Sequence, residues 1–451
     1  MSSGDSGAPR SVRSLALGIL VRVARDRAHA APLLDARGAG LPPRDRDLLR
    51  VLVKWTLRHA LRLDHVLARS LQRPPESLEP AVREALRLGA AQLLLLDRIP
   101  KHAAVSETVA AVKEMAPRSA GLVNAVLRRV AGAEERPGRV LLPDGADAIT
   151  RLALETSHPE WLVRRWVALF GADRARAALL ADLADARIDL LADPRLGSRE
   201  EVRDRLAAGG VETELSPWTP LALTVVSGDA AAHPLIAAGE LPVVDAAAQA
   251  MAELVPPAPL VVDLAAAPGG KTRTLLARGT AARAVALERH PPRAARLARN
   301  LAASGRRAEA AVVIADATRP PLPRDRFASV LLDAPCSGTG TLRKNPEIGL
   351  RLRPEDLALF AAVQRSLLSA GLELLAPGGT LVYVTCSLEQ EENDEVVAAA
   401  LERFGEARRV SPPRDLLPVP LARALGADHF LRVPPGDTND GFTAVVLRRD
   451  G

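Results

Sequence analysis

The chain has 451 residues, of which 48% are hydrophobic and 25% charged, and a formal net charge of +6. That length suits about three domains with substantial cores. With two cysteines, no apolar run of the roughly 18 residues a membrane helix needs, and no apolar centre in the opening MSSGDSGAPR, the sequence argues against a disulfide framework, a membrane span and a secretory signal.

Residues 11–130 read as helix throughout. In SVRSLALGILVRVARD, Leu15, Ile19 and Val23 recur every four residues, a stripe on one helix face. RDLLRVLVKWTLRHALRLDHVLARSL and PAVREALRLGAAQLLLLDRI repeat the pattern, with proline-containing breaks at 41–43 and 74–75. VSETVAAVKE and AGLVNAVLRRVAG complete an all-α bundle over residues 1–135. This region holds 22 Lys and Arg against 14 Asp and Glu, a balance of +8, so the rest of the chain is near −2. A positive module on a near-neutral body fits a polyanion partner, RNA or DNA. A solvated arginine-rich surface accounts for the same count, since Arg outnumbers Lys 55 to 5.

AEERPGRVLLPDGAD, residues 133–147, reads as a linker. Residues 148–240 read as a small α/β module. HPEWLVRRWVALFG is helical, RIDLLAD and ALTVVSG are candidate strands, and SREEVRDRLAAGG is a short helix with a serine cap. Over residues 241–451 the rhythm becomes strand, loop, helix. Strands are expected at 259–265, 283–288, 310–316, 328–335 and 379–386. They are continuously apolar, as in a parallel sheet buried on both faces, so the expected class is a doubly wound, Rossmann-like α/β domain. Ligands of such sheets bind at the carboxyl ends of the strands.

DLAAAPGGKT, from Asp263 to Thr272, follows the first of these strands and opens a helix. Its small residues, Ala265, Ala266, Ala267, Pro268, Gly269 and Gly270 before Lys271, let backbone N–H groups approach a ligand. A phosphate loop requires glycine six residues before the lysine, where Ala265 stands, and the run is too short for the dinucleotide fingerprint. A tight turn is the bland alternative. Glu288 ends the second strand, placed to accept hydrogen bonds from ribose hydroxyls. Asp316 ends the third, placed to receive an adenine amino group, and Asp333 nearly ends the fourth. One carboxylate after a strand is usually a helix cap; three on one rim beside a glycine turn point to a nucleoside without a polyphosphate, with S-adenosylmethionine the candidate.

Cys336 lies three residues past Asp333, and Cys386 ends the fifth strand. Those strands are expected neighbours, about 5 Å apart, so both thiols should face the cofactor rim. Free cysteine is commonly just a small buried hydrophobe; two on one rim, with none elsewhere, suggest chemistry instead. Pyrimidine C5 is a poor nucleophile. A thiolate added at C6 makes C5 enamine-like, able to take a methyl group, and loss of the C5 proton then expels the sulfur. Lys271 is the expected cation beside the attacking thiolate. Asp333 could bind the N3/N4 edge of the base. Spacing alone does not say which thiol attacks.

AAAPGGKT, DAPCSGTGTLRKNPEI and APGGTLVYVTCSLEQEEN resemble motifs of the RNA 5-methylcytosine methyltransferases of the RsmB/Nop2/Sun family. The resemblance covers most of 241–449, with DGFTAVVL as the closing strand. It implies that Cys386 is the nucleophile and Cys336 assists product release. KHAAVSETVAAVKE with GLVNAVLRRV is similar to the NusB-like RNA-binding domain of the bacterial branch, which modifies small-subunit ribosomal RNA. Ala265 departs from the family's usual cysteine, and RIDLLADPR and VVDAAAQ stand where LRVN and VQD are usual.

The expectation is therefore an S-adenosylmethionine-dependent RNA cytosine-C5 methyltransferase acting on 16S rRNA, monomeric, cytoplasmic and without metal. Its base must be unpaired or flipped. Arg343, Lys344 and Asn345 would touch phosphate or form a solvated loop. The alternatives are a non-catalytic NusB-like RNA-binding adaptor and a C5-methyltransferase acting on another nucleic acid.

Overall fold

The computed structural model describes residues 11–132 and 145–451; the opening ten residues and 133–144, most of the expected linker, lie outside the described residues. The chain divides into two compact units, Met1–Asp185 with Leu342–Leu352, and Ala186–Thr341 with Arg353–Gly451.

The first unit is helical. Seven α-helices run from Val12–Asp26 to Ala120–Gly132, and three more follow at Ala148–Thr156, Glu160–Phe170 and Ala172–Ala181. Their starts follow local chemistry. Ser11 accepts the Ser14 N–H at 3.1 Å, and prolines open the helices Pro43–Arg58 and Pro80–Leu95, where no N–H is needed. The core is leucine-rich: Leu17, Leu20, Leu49, Leu52, Leu86 and Leu127 are fully buried. Gly89 lets two helices touch, since a Cβ there would lie 2.3 Å from Leu127 Cδ1.

Leu342–Leu352 packs into this helical unit. The buried Glu347 carboxylate accepts the Ala30 N–H at 3.1 Å, Lys54 Nζ donates to the Lys344 carbonyl, and Arg58 donates to the Arg343 carbonyl at 3.2 Å. Arg343 is only 2% exposed. It is neither a solvated-loop residue nor an open phosphate contact; the sequence could not show that its segment folds among distant helices.

The second unit holds two sheets. β1 (Asp189–Leu191), β2 (Glu212–Leu215) and β3 (Ala222–Ser227) form an antiparallel sheet in the order β1-β3-β2. Between β1 and β2, the helix Arg199–Ala208 begins with a reciprocal capping box of Ser198 and Glu201. The larger sheet contains β4 (Ala258–Asp263), β5 (Ala281–Glu288), β6 (Ala310–Ile314), β7 (Phe327–Asp333), β8 (Leu375–Thr385), β9 (Ala407–Val410), β10 (Phe430–Val433) and β11 (Phe442–Arg449). Its order is β10-β11-β8-β7-β4-β5-β6, with β9 also paired to β11. β6, β5, β4, β7 and β8 run parallel, and β11 is antiparallel to β8.

Alternate residues of the central strands enter two separate cores. Val261, Leu331 and Val382 face one side, and Val262, Val330 and Leu381 the other. Burial of both faces explains the unbroken apolar runs. The helix Leu357–Leu374 covers one face; with its preceding turn it is long and apolar enough by composition to cross a membrane, and half of that stretch is buried within the protein. Strand order reverses between β4 and β7, which opens a crevice at their carboxyl ends.

Candidate active site

The crevice collects the sequence-marked residues from five strand ends. The loop after β4 is held at both sides: the Leu264 N–H donates to the Leu331 carbonyl at 3.0 Å and the Ala266 N–H to the Leu287 carbonyl at 2.9 Å. Asn300 and Arg293 hold the Pro268 and Ala267 carbonyls at 2.8 and 3.2 Å. Gly269 turns the chain into the next helix with a left-handed φ of 103°, where a Cβ would also meet Leu297 Cδ1 at 2.7 Å.

Lys271 sits one residue inside that helix, and its Nζ lies 2.7 Å from Asp333 Oδ2 at the end of β7. It also stands 5.4 Å from the centre of the Phe442 ring. Burial lowers the Lys271 pKa, but Asp333, Cys386 and Asp263 together outweigh it and raise the group above its ordinary value. Lys271 is therefore a fixed cation at the site. Asp263, at the end of β4, is 1% exposed and accepts the Thr272 hydroxyl at 2.6 Å. Burial, followed by the Asp333 charge against the relief of its hydrogen bonds and Lys271, leaves its carboxyl pKa up at about 6.

The thiols converge. Strands β7 and β8 pair with Asp333 opposite Val384, and the Ala334 N–H continues the ladder to the Val384 carbonyl at 2.8 Å. Cys336 Sγ and Cys386 Sγ are 3.2 Å apart, both half-buried. The Cys336 pKa is driven well above the ordinary thiol range, first by its hydrogen bond with Cys386, then by burial and the negative charges of Cys386, Glu392 and Asp333. The Pro-Cys loop also reaches β8's end through Gly340, whose N–H donates to the Cys386 carbonyl at 2.9 Å.

On the other side of the crevice, Glu288 is 5% exposed and receives the His290 N–H at 2.8 Å, with Arg293 3.3 Å from its second oxygen. Asp316 lies two residues beyond β6 and is exposed. One of its oxygens accepts the Thr318 N–H and hydroxyl at 2.9 and 2.8 Å, bonds that lower its pKa. The crevice thus joins Lys271, Asp333 and both cysteines directly, with Glu288 and Asp316 at the following strand ends.

Sequence reasoning passed over Asp263, Glu392, Ser337, Ser387 and Phe442. The first four lay inside quoted motifs, and Phe442 inside the closing strand, but only three-dimensional burial gives them their roles. In the departures from the family pattern, Asp189 accepts the Ala246 N–H at 2.9 Å and Asp245 caps the helix Ala246–Ala252. These two aspartates order the backbone of the module.

Comparison with known proteins identifies the family. The description "16S rRNA methyltransferase RsmB/F" matches residues 254–448, the NusB family 10–132, and the ferredoxin-like domain of RsmF/B-like methyltransferases 158–230. The chain is 38% identical to the ribosomal RNA small subunit methyltransferase B of Thermus thermophilus, with 97% of each chain covered. It is 30% identical to the probable ribosomal RNA small subunit methyltransferase B of Bacillus subtilis, over 98% of this chain and 99% of that one. The chain belongs to the ribosomal RNA small subunit methyltransferase B family. Among solved structures, that of PH0851 covers 98% of this chain and all of its own, with a TM-score of 0.80 at 22% identity. A methyltransferase homolog from Pyrococcus horikoshii covers 67% of this chain with a TM-score of 0.56 at 24% identity. These likenesses support the expected fold: a Rossmann-like methyltransferase sheet, a NusB-like helical region and a small α/β module.

Proposed function

We propose that this family member transfers a methyl group from S-adenosylmethionine to C5 of a cytidine in 16S rRNA, through a transient bond between Cys386 and C6. The observation that carries the reading is the 3.2 Å approach of Cys336 and Cys386 beside the Lys271–Asp333 pair. The curated relatives' names support ribosomal RNA as the substrate. The helical region 1–135 is the RNA-binding element, the module over 148–240 contributes to RNA placement, and 241–451 performs the transfer.

The residues fit the cofactor. Gly269 keeps the turn free of a Cβ, and the loop Ala265–Lys271 is fixed by strands on both sides. Glu288 would hold the ribose hydroxyls and Asp316 the adenine amino group, since each uses mainly local partners and retains lone pairs for a ligand. The cofactor supplies an electrophilic methyl group.

The raised pKa of Cys336 suits it to donate an S–H to Cys386 across their 3.2 Å contact. This agrees with the family resemblance, which makes Cys386 the nucleophile. Lys271, cationic and electrostatically coupled to Cys386, stabilises that thiolate. The thiolate adds to C6, and electron density moved to C5 takes the methyl group. Asp333 holds the base at its N3/N4 edge. Water takes the C5 proton, the C–H electron pair reforms the C5–C6 double bond, and the C6–S bond breaks with its electrons returning to Cys386 as thiolate. Cys336 assists that last separation.

Tritium release from 16S rRNA labelled at cytosine C5, set beside release from labelled DNA, tests the reading. Release from RNA that requires S-adenosylmethionine is expected, falling by about 10⁶-fold in Cys386→Ala, the scale of nucleophile removal. Equal release from DNA, or an active Cys386→Ala protein, contradicts it.

A further inference from the structure

Behind the thiols lies a buried carboxylate that the transfer chemistry does not call upon. Glu392 is 0% exposed. One of its oxygens accepts the Ser337 N–H at 2.8 Å and the Gln364 side-chain amide at 2.9 Å. The other accepts the Ser387 hydroxyl at 2.5 Å and the Ser337 hydroxyl. Ser337 follows Cys336, and Ser387 follows Cys386. One carboxylate therefore grips the residue next to each thiol.

The grip is reinforced on both sides. Gln364 also donates to the carbonyl of Pro335, just before Cys336, at 2.9 Å. The Ser337 and Ser387 hydroxyls are 3.2 Å apart, and Tyr383, deep in β8, donates its hydroxyl to the Glu392 carbonyl at 2.6 Å. These donors to the carboxylate are neutral. A buried anion held by neutral donors is costly unless its bonds are satisfied. Its four bonds satisfy both oxygens and tie two sequence-distant loops to one point.

We propose that Glu392 is a positioning residue: it locks the Cys336 and Cys386 loops into one register and sets its carboxylate behind Cys336. The geometry follows from its bonds to both serines. The charge disfavours a second anion at Cys336. This deepens the proposed methyl transfer and rests on it. Glu392 is fully buried and acts through the loops it holds.

The chain's two cysteines make the test direct. In Cys386→Ser, Cys336 is the sole thiol, and the pH dependence of its alkylation by iodoacetamide reads its ionisation without any methyl transfer. Adding Glu392→Gln, nearly isosteric and able to keep the serine contacts, is expected to move the alkylation midpoint down by about one pH unit. In the otherwise native protein, Glu392→Ala should lower kcat for RNA methylation about a hundredfold, the scale of a misplaced reacting group. KM for RNA and cofactor should stay within about twofold. Glu392→Gln should recover part of kcat, because geometry returns without charge. If Glu392→Ala fails to fold, Glu392→Gln carries the kinetic comparison, with kcat expected below the parent. An unmoved midpoint, or a parental kcat in the folded variant, overturns the proposal. Absence of methyl transfer by the unaltered protein would instead refute the reaction, leaving the alkylation result to judge the positioning role.

Discussion

The two sides of the crevice use their polar groups differently. On the thiol side, bonds span long stretches of sequence: Ser337 to Glu392, Lys271 to Asp333, and Gly340 to Cys386. On the cofactor side, Glu288 and Asp316 bind backbone N–H groups two residues ahead. Long-range bonds fix reacting atoms relative to one another, as covalent chemistry requires. Local bonds orient a carboxylate and leave lone pairs to receive a ligand. In the proposed reaction the thiol side serves placement and the cofactor side capture.

The sharpest break of this contrast is steric. Gly340 is packed so that a Cβ would lie 2.3 Å from the Gly441 carbonyl oxygen, a backbone atom with little freedom to yield. Gly340→Ala should cost about 3 kcal/mol, the upper range for overpacking, in denaturant unfolding, and it should slow methylation further by shifting the Pro-Cys loop. Unchanged stability would show that the loop is not fixed.

Asp263 gives a pH-dependent form of the same test. Its folded pKa of about 6 lies above its ordinary 3.8, chiefly through burial. Between those values the folded chain keeps a proton that the unfolded chain has lost. Its contribution to stability is therefore present at low pH and is lost as pH rises towards 6. Asp263→Asn should remove this loss and gain up to about 3 kcal/mol over the parent on going from pH 3.5 to pH 8, read from urea midpoints. A pH-independent difference would contradict the burial argument.

On the capture side the effects should fall on binding. Glu288→Ala should weaken S-adenosylmethionine about tenfold to a hundredfold in calorimetry, with kcat at saturation little changed. Asp316→Ala, at an exposed position, should weaken it by about threefold or less. A kcat-only defect in either variant would erase the distinction between the two sides.

The parallel strands were legible because burial on both faces leaves unbroken apolar runs, as in β4, β7 and β8. The convergence of Cys336 and Cys386 was legible because each follows such a strand and the two strands are neighbours. β2 was not legible: ETEL is an edge strand with three of its four residues exposed, so no apolar pattern marks it. Arg343 was misjudged because its burial depends on helices nearly 300 residues earlier in the chain. The raised pKa of Cys336 was equally hidden, since it comes from the Cys386 contact, from burial and from charges such as Glu392 that only the fold sets against it.

The central claim is that Cys386 forms the bond to the base and Cys336 helps to break it. Incubating Cys336→Ala with 16S rRNA and S-adenosylmethionine, then resolving the products by denaturing electrophoresis, tests it most directly. A protein–RNA adduct that survives denaturation, and maps to Cys386 after digestion, is the expected result. An adduct that accumulates instead in Cys386→Ala would reverse the two thiols and contradict the account.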